Sequence, residues 1–222
     1  MLNQLRHSPG FATRSSGRST AFTVFLFAEA RWVPAALPAA RSSTLGSELV
    51  EWYTVVRMEI VDPARVEQRP KIPYVGIRVT TPFRGMLAER DRLLAEVRAG
   101  IEEAKIKTVG YGFLRLHVID MDGPMDLEVG YFTVEPAHTV HPRLQMGSMP
   151  AGRYATMKYR DHARRANQAL QDWAHDNNLP LDRQTIPEGD AFACRYEAFW
   201  TDPAVEPRKT RWTVELSILL TK

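Results

Sequence analysis

The stretch Tyr111–Val134, YGFLRLHVI DMDGP MDLEVGYFTV, decides the fold. Two alternating runs flank an Asp-Met-Asp-Gly-Pro turn, the pattern of an antiparallel hairpin. Upstream, Pro73–Thr80 (PYVGIRVT) puts Val75, Ile77 and Val79 on one face of a strand. Met86–Lys105 carries Leu87, Leu94, Val97, Ile101 and Ala104 at helical spacing. The unit is therefore strand, helix, hairpin.

The same order recurs after a loop rich in Pro and His at Pro136–Pro142. Arg153–Tyr159 (RYATMKY) reads as a strand, and Asp161 is placed to cap a helix running to about Asn177 with Ala166, Ala169, Leu170 and Trp173 on its apolar face. Ala191–Trp200 (AFACRYEAFW) and Arg211–Leu220 (RWTVELSILL) form a second hairpin around the longer loop Thr201–Thr210. Such a duplication predicts an α+β fold of two strand-helix-hairpin halves, with antiparallel sheets around a central ligand cleft. Overlaying the halves sets Arg115-Leu116-His117-Val118 on Arg195-Tyr196-Glu197-Ala198, and Asp126-Leu127-Glu128-Val129 on Thr213-Val214-Glu215-Leu216.

Because residues i and i+2 of a strand share a face, the overlay also predicts which side chains line the cleft. Leu114, Leu116, Val118, Leu127, Val129, Tyr131, Trp212, Val214, Leu216 and Ile218 belong to the helix-covered side. The opposite face is expected to collect His117, Glu128, Glu197 and Glu215 together with Phe113, Phe199, Arg115 and Arg195, and Tyr74 follows by parity from Val75. Mid-strand carboxylates are costly to bury alone, so each is solvated, paired with arginine or used for a ligand.

The net charge of +3 and the basic pI of about 9.1 point weakly to nucleic acid until the charge is located. The whole excess lies in residues 1–57, which hold six Arg and three Glu, whereas 58–222 carries 23 basic and 23 acidic residues. A balanced domain has no surplus of cations for a phosphate backbone, so no direct nucleic-acid partner is expected. Residues 1–57 read as a poorly ordered extension or a mis-assigned start, with Met58 the candidate initiator. The apolar block Ala21–Ala30 is interrupted by Glu29 and is too short to span a bilayer, so no membrane partner is expected. Cys194 is the single cysteine, which excludes an intramolecular disulfide and a cysteine-based zinc site and suits a reducing, cytoplasmic setting; it reads as a small buried hydrophobe. No cofactor motif and no metal set emerges: His138 and His141 lie in a Pro-flanked loop, and Asp120, Asp122 and Asp126 lack the glycine spacing of a calcium loop.

Three stretches together resemble the GyrI-like small-molecule-binding domain, which is also the effector-binding half of multidrug-responsive bacterial transcription activators. They are YEAFWTDP at Tyr196–Pro203 followed by WTVEL at Trp212–Leu216, HVIDMDGPMDLEVG at His117–Gly130, and PAGRYA at Pro150–Ala155. The resemblance spans about 58–222 and implies a stand-alone domain, monomeric or homodimeric, since no helix-turn-helix pattern precedes Met58. It implies a lipophilic, cationic ligand contacted by a glutamate on the penultimate strand, which maps onto Glu197, with Glu215 a second acid on the last strand. Two other readings stay open. Some stand-alone members of the family open strained electrophiles of the cyclopropanoid type, which would make Glu197 a general base with His117 as a partner, and others modulate a DNA topoisomerase. Arg208, Lys209 and Arg211 in the last loop are placed to pair with cleft acids or to flank the mouth.

Overall fold

The computed structural model describes residues 58–136, 142–203 and 205–222. The first half contributes β1 (Glu59–Arg69), β2 (Ile72–Pro82), α1 (Met86–Glu103), β3 (Thr108–Ile119) and β4 (Pro124–Thr133). The second contributes β5 (Gln145–Met149), β6 (Gly152–Arg160), α2 (Ala163–Asp176), the short pair β7 (Arg183–Ile186) and β8 (Gly189–Phe192), then β9 (Arg195–Phe199) and β10 (Val214–Leu219). The α+β class and the repeated strand-helix-hairpin order agree with the sequence. The two halves, however, do not present separate sheets to one another. They pair edge to edge through β3 and β9 into one antiparallel sheet, ordered β1-β6-β10-β9-β3-β4-β2-β5.

β1 and β5 carry no clean alternation and were not expected as strands. Each exchanges halves: β1 pairs with β6 and β5 pairs with β2. Their links are short. Only Pro70 and Lys71 join β1 to β2, and only Pro150 and Ala151 join β5 to β6. In both cases six strand spacings separate the joined strands, roughly 29 Å across a flat sheet, whereas two linking residues span at most about 11 Å. The sheet must therefore curl until its margins approach at that end.

Both helices pack on one face, α1 over β2 and β4 and α2 over β6. That side holds the larger core, with Leu93, Val97, Leu114, Leu127, Val129, Met157, Leu170 and Leu216 fully or almost fully buried. A smaller core of Tyr74, Phe113, Phe132, Met149, Tyr154, Cys194, Tyr196, Ala198 and Leu219 fills the inside of the curl, where no helix lies. Aromatic rings can sit flat there because glycines oppose them. Phe113 lies across Gly130, and Tyr74 across Gly147; a Cβ on Gly130 would stand 2.3 Å from the Val75 carbonyl oxygen and 2.7 Å from the Phe113 ring.

Asp161 does not cap α2. His162 occupies that position in a left-handed conformation (φ 48°), and the Asp161 carboxylate instead accepts from the His162 N–H. The residues read as an extension or a mis-assigned start (1–57) and both loop histidines, His138 and His141, lie outside the described residues. Asp120 accepts from the Asp122 N–H and Asp126 pairs with Arg78, as a hairpin turn requires. Gly130→Ala is expected to lower stability by about 1–3 kcal/mol through overpacking against backbone, read as a fall in the urea midpoint with an unchanged slope; an unaltered midpoint would show that the curl relaxes there.

Candidate functional site

Register assigns every predicted site residue to a face, and it divides them. Glu128 pairs with Arg115, Arg115 with Tyr196, and Tyr196 with Ser217, so Glu128 lies on the inner face; Glu215 joins it through its pairing with Ala198. His117, Phe113 and Tyr74 share that face with them. Glu197 pairs with Leu114 on one side and Leu216 on the other, both helix-side core residues. Glu197, Arg195 and Phe199 thus face the helices, opposite to the expected placement. The cause is a register slip. Tyr74 pairs with Gly147 and Tyr154 with Glu67, each tyrosine four residues beyond its link proline, so Tyr74 and Tyr154 are equivalent. Following the pairings inward makes Glu128 equivalent to Glu215, as the overlay had it, but Leu114 equivalent to Glu197. The overlay of Arg115 on Arg195 was three residues out, and an odd slip exchanges faces.

The inner-face acids are satisfied by the protein itself. Glu215 accepts from Arg69 at 2.8 Å, with Lys158 at 3.9 Å, and the same guanidinium donates to Ser217, Thr156 and Tyr196 and lies over the Tyr154 and Tyr196 rings. Glu128 accepts from the Tyr74 hydroxyl at 2.7 Å and sits 3.0 Å from His117 Nε2, while Arg115 donates to Tyr74. Burial, and after it the Glu128 carboxylate, push the Tyr74 phenol up. Cys194 is buried against Met149 and burial pushes its thiol up, as an inert core cysteine requires. These groups form a structural network. Arg69 was missed because β1 was not read as a strand.

The helix face is different. Between α1 and α2 the floor is β3, β9 and β10, and three charged side chains are buried along it: Glu197 at 7% exposure, Arg195 at 8% and Arg90 at 6%. Asn167 on α2 bridges two of them, donating from Nδ2 to Glu197 Oε1 at 2.9 Å and accepting from Arg195 at Oδ1. Burial, and next the adjacent Glu197 carboxylate, push the Tyr159 phenol well up, and Arg90 and Arg195 act against that shift. Burial depresses Arg195 despite the Glu197 charge; its guanidinium lies over Phe192 and its Nε has no partner. Arg90 reaches down from α1 over the Phe199 and Trp212 rings, 5.4 and 5.5 Å from their centroids, and donates to Asp91.

The loop 201–212 folds onto α1 beside this group. Arg98 donates to Asp202 at 2.8 Å, and Lys209 pairs with Asp91. Between loop and helix lies a cavity of about 400 Å³, lined by Leu94, Ala95, Tyr131, Pro203, Pro207 and Trp212 and rimmed by Asp91, Arg98 and Lys209. Trp212 is common to the cavity wall and the Arg90 stack. Lys209 thus flanks a mouth as the sequence suggested, though its partner is Asp91. Arg90, Asn167 and Tyr159 were not anticipated. Arg90 was hidden in a helix whose other arginines are exposed, such as Arg92.

This duplicated α+β fold, with helices on one face of a curled sheet and a groove between them, is shared with solved structures of other proteins. The C-terminal domain of EcmrR superposes with a TM-score of 0.56 at 14% identity, over 73% of this chain and 99% of that domain. The longer EcmrR chain, solved in complex with DNA, gives 0.55 at 14% identity over 72% of this chain; the present chain spans 57% of its length. An uncharacterized conserved protein from Listeria innocua gives 0.50 at 9% identity, over 72% of this chain and 93% of that one. No protein-family model matches the sequence, and no curated protein matches it significantly.

Replacing Arg69 by Met strands the Glu215 charge, and loss of one partner of a buried pair costs about 3–5 kcal/mol. The variant should melt roughly 6–20 °C lower at 2–4 °C per kcal/mol, with partial recovery when Glu215→Gln is added. No recovery in the double variant would remove the pair from the inner-face network.

Proposed function

We propose that this chain is a small-molecule-binding domain whose ligand, lipophilic in character, enters between α1, α2 and the loop 201–212 and reaches towards Glu197. The observation that carries this is the asymmetry at the pseudo-twofold axis. Leu114 and Glu197 are equivalent residues facing one another across the β3–β9 junction, and one half keeps a leucine where the other buries a carboxylate. A fold needs no acid there, as the leucine shows. Burying one without a compensating function is disfavoured, and an apolar cleft with a few convergent polar groups is the usual form of a ligand site. Phe199 and Trp212 supply aromatic walls, and the cavity of about 400 Å³ beside Trp212 suits a small ligand.

Binding is favoured over hydrolysis. A general base must reach water or substrate directly, whereas the Glu197 carboxylate is already held by Asn167 deep in the floor. Glu128, Glu215 and His117 are engaged on the opposite face and take no part in this reading.

A ligand at 100 times its dissociation constant stabilises the folded chain by about 2.7 kcal/mol, which corresponds to a rise of roughly 5–10 °C in melting temperature. A panel of lipophilic dyes and drugs should contain members that produce such a rise. Glu197→Gln should reduce the affinity of those members at least tenfold, and Trp212→Ala similarly, with Glu128→Gln as the inner-face comparison. Full affinity in Glu197→Gln would remove the residue from the site; no shift across the panel would overturn the binding function.

A further inference from the structure

The groove between the helices is not an empty acidic pocket. It buries two arginines, Arg195 on the floor and Arg90 from α1, against one glutamate, and its rim adds Lys209 beside Asp91. Arg90 holds the position that matters most. Its guanidinium lies 5.4 Å from the Phe199 centroid and 5.5 Å from that of Trp212, rings whose own centroids are 5.6 Å apart. A cation over two aromatic faces, with a carboxylate nearby, is the arrangement by which proteins hold lipophilic cations. Here the protein's own side chain completes it. Arg90 is anchored by two hydrogen bonds to Asp91 Oδ1, at 2.7 and 3.0 Å, and Lys209 holds the same carboxylate from the loop. Glu197 in turn is linked through Asn167 to Arg195. Neither the aromatic pair nor the buried acid is left without a cation.

We propose that Arg90 is the built-in cation of this cleft, and that the chain therefore selects lipophilic anions over lipophilic cations. An incoming cation has to expel a guanidinium from its aromatic seat and meets Arg195 and Lys209 besides. An incoming anion finds Lys209 at the rim of the apolar cavity and Arg90 behind its Trp212 wall, both held by Asp91 and able to transfer to the negative charge of a ligand. Placing a positive charge beside these groups is repulsive, and low local dielectric enlarges the effect.

This inference rests on the cleft reading above, and tetraphenylborate and tetraphenylphosphonium separate the two. The ions match in size and shape and differ in the sign of their charge. Affinities measured by tryptophan fluorescence and calorimetry on the full chain should favour tetraphenylborate at least tenfold in the wild type. Arg90→Met, which keeps the apolar stem and removes the charge, should move the ratio of the two affinities at least tenfold towards tetraphenylphosphonium. Arg90→Lys should keep the wild-type order. A wild-type preference for tetraphenylphosphonium overturns the inference without any variant, as does a ratio that Arg90→Met leaves unchanged, the result expected of nonspecific adsorption. Binding of either ion with no change in ratio leaves the cleft reading standing. Failure of both ions to bind wild type and variants overturns the cleft reading and this inference with it.

Discussion

Two links of two residues each, Pro70-Lys71 and Pro150-Ala151, constrain the whole molecule. They join strands that the sheet places six positions apart, and no flat sheet can accommodate them. The curl they enforce creates an interior on the side without helices. It is why Tyr154, Phe113 and Met149 can be buried there, and why Arg69, at the end of the marginal strand β1, touches Ser217 and Tyr196 on strands two and three places inward. Proline suits these positions because it fixes φ and offers no N–H that the ladder would have to satisfy. The exchange of β1 and β5 between halves follows from the same links, so each half is completed by a strand that belongs in sequence to the other.

Most of the elements were legible because their apolar residues recur at a single period, even in β10, which is buried on both faces. β4, α1 and the last strand carry apolar residues at a single period, and Leu127, Val129, Val97, Leu216 and Ile218 all fall where alternation or helical spacing puts them. β1 was hidden by Pro63 and by charged residues that guard a sheet edge, a common device against edge-to-edge pairing. β9 failed for a different reason. Its charged residues Arg195 and Glu197 share the helix-side face with Phe199, so polarity points its phase the wrong way. The break at Ala193-Cys194, which separates β8 from β9, left the overlay without an anchor. A slip of three residues then moved Glu197 to the wrong face while leaving Glu128 and Glu215 correctly matched.

That slip bears on the site because acidic residues which sequence gathers together are physically divided by a sheet. Glu128 and Glu215 are symmetry equivalents with equivalent duties: each is buried on the inner face and each is answered by phenols and cations of the curl. Their partners differ, Tyr74 and His117 for Glu128 and Arg69 with Lys158 for Glu215, but a buried acid in both halves is what a repeated structural role predicts. Glu197 has no acidic counterpart. Its equivalent is Leu114, and its partners Asn167 and Arg195 come from α2 and β9 of the second half alone.

Departure from internal symmetry is therefore a sharper guide to the site than acidity is. Packing constraints act alike on the two halves, so a residue demanded by the fold tends to recur, whereas a residue demanded by a single ligand at the axis need appear only once. Arg90 adds a second buried charge over the same strands. It is a buried cation on a helix otherwise faced with aliphatic side chains, and the aromatic pair beneath it, Phe199 and Trp212, belongs to the last hairpin. A carboxylate from one half and a guanidinium from the other lie over the same strands of the floor. With Arg195 also buried there, two guanidinium groups face one carboxylate, and the aromatic seat of the cleft is already taken by a cation. Ligand charge then depends less on Glu197 than on whichever group can replace Arg90 or satisfy it.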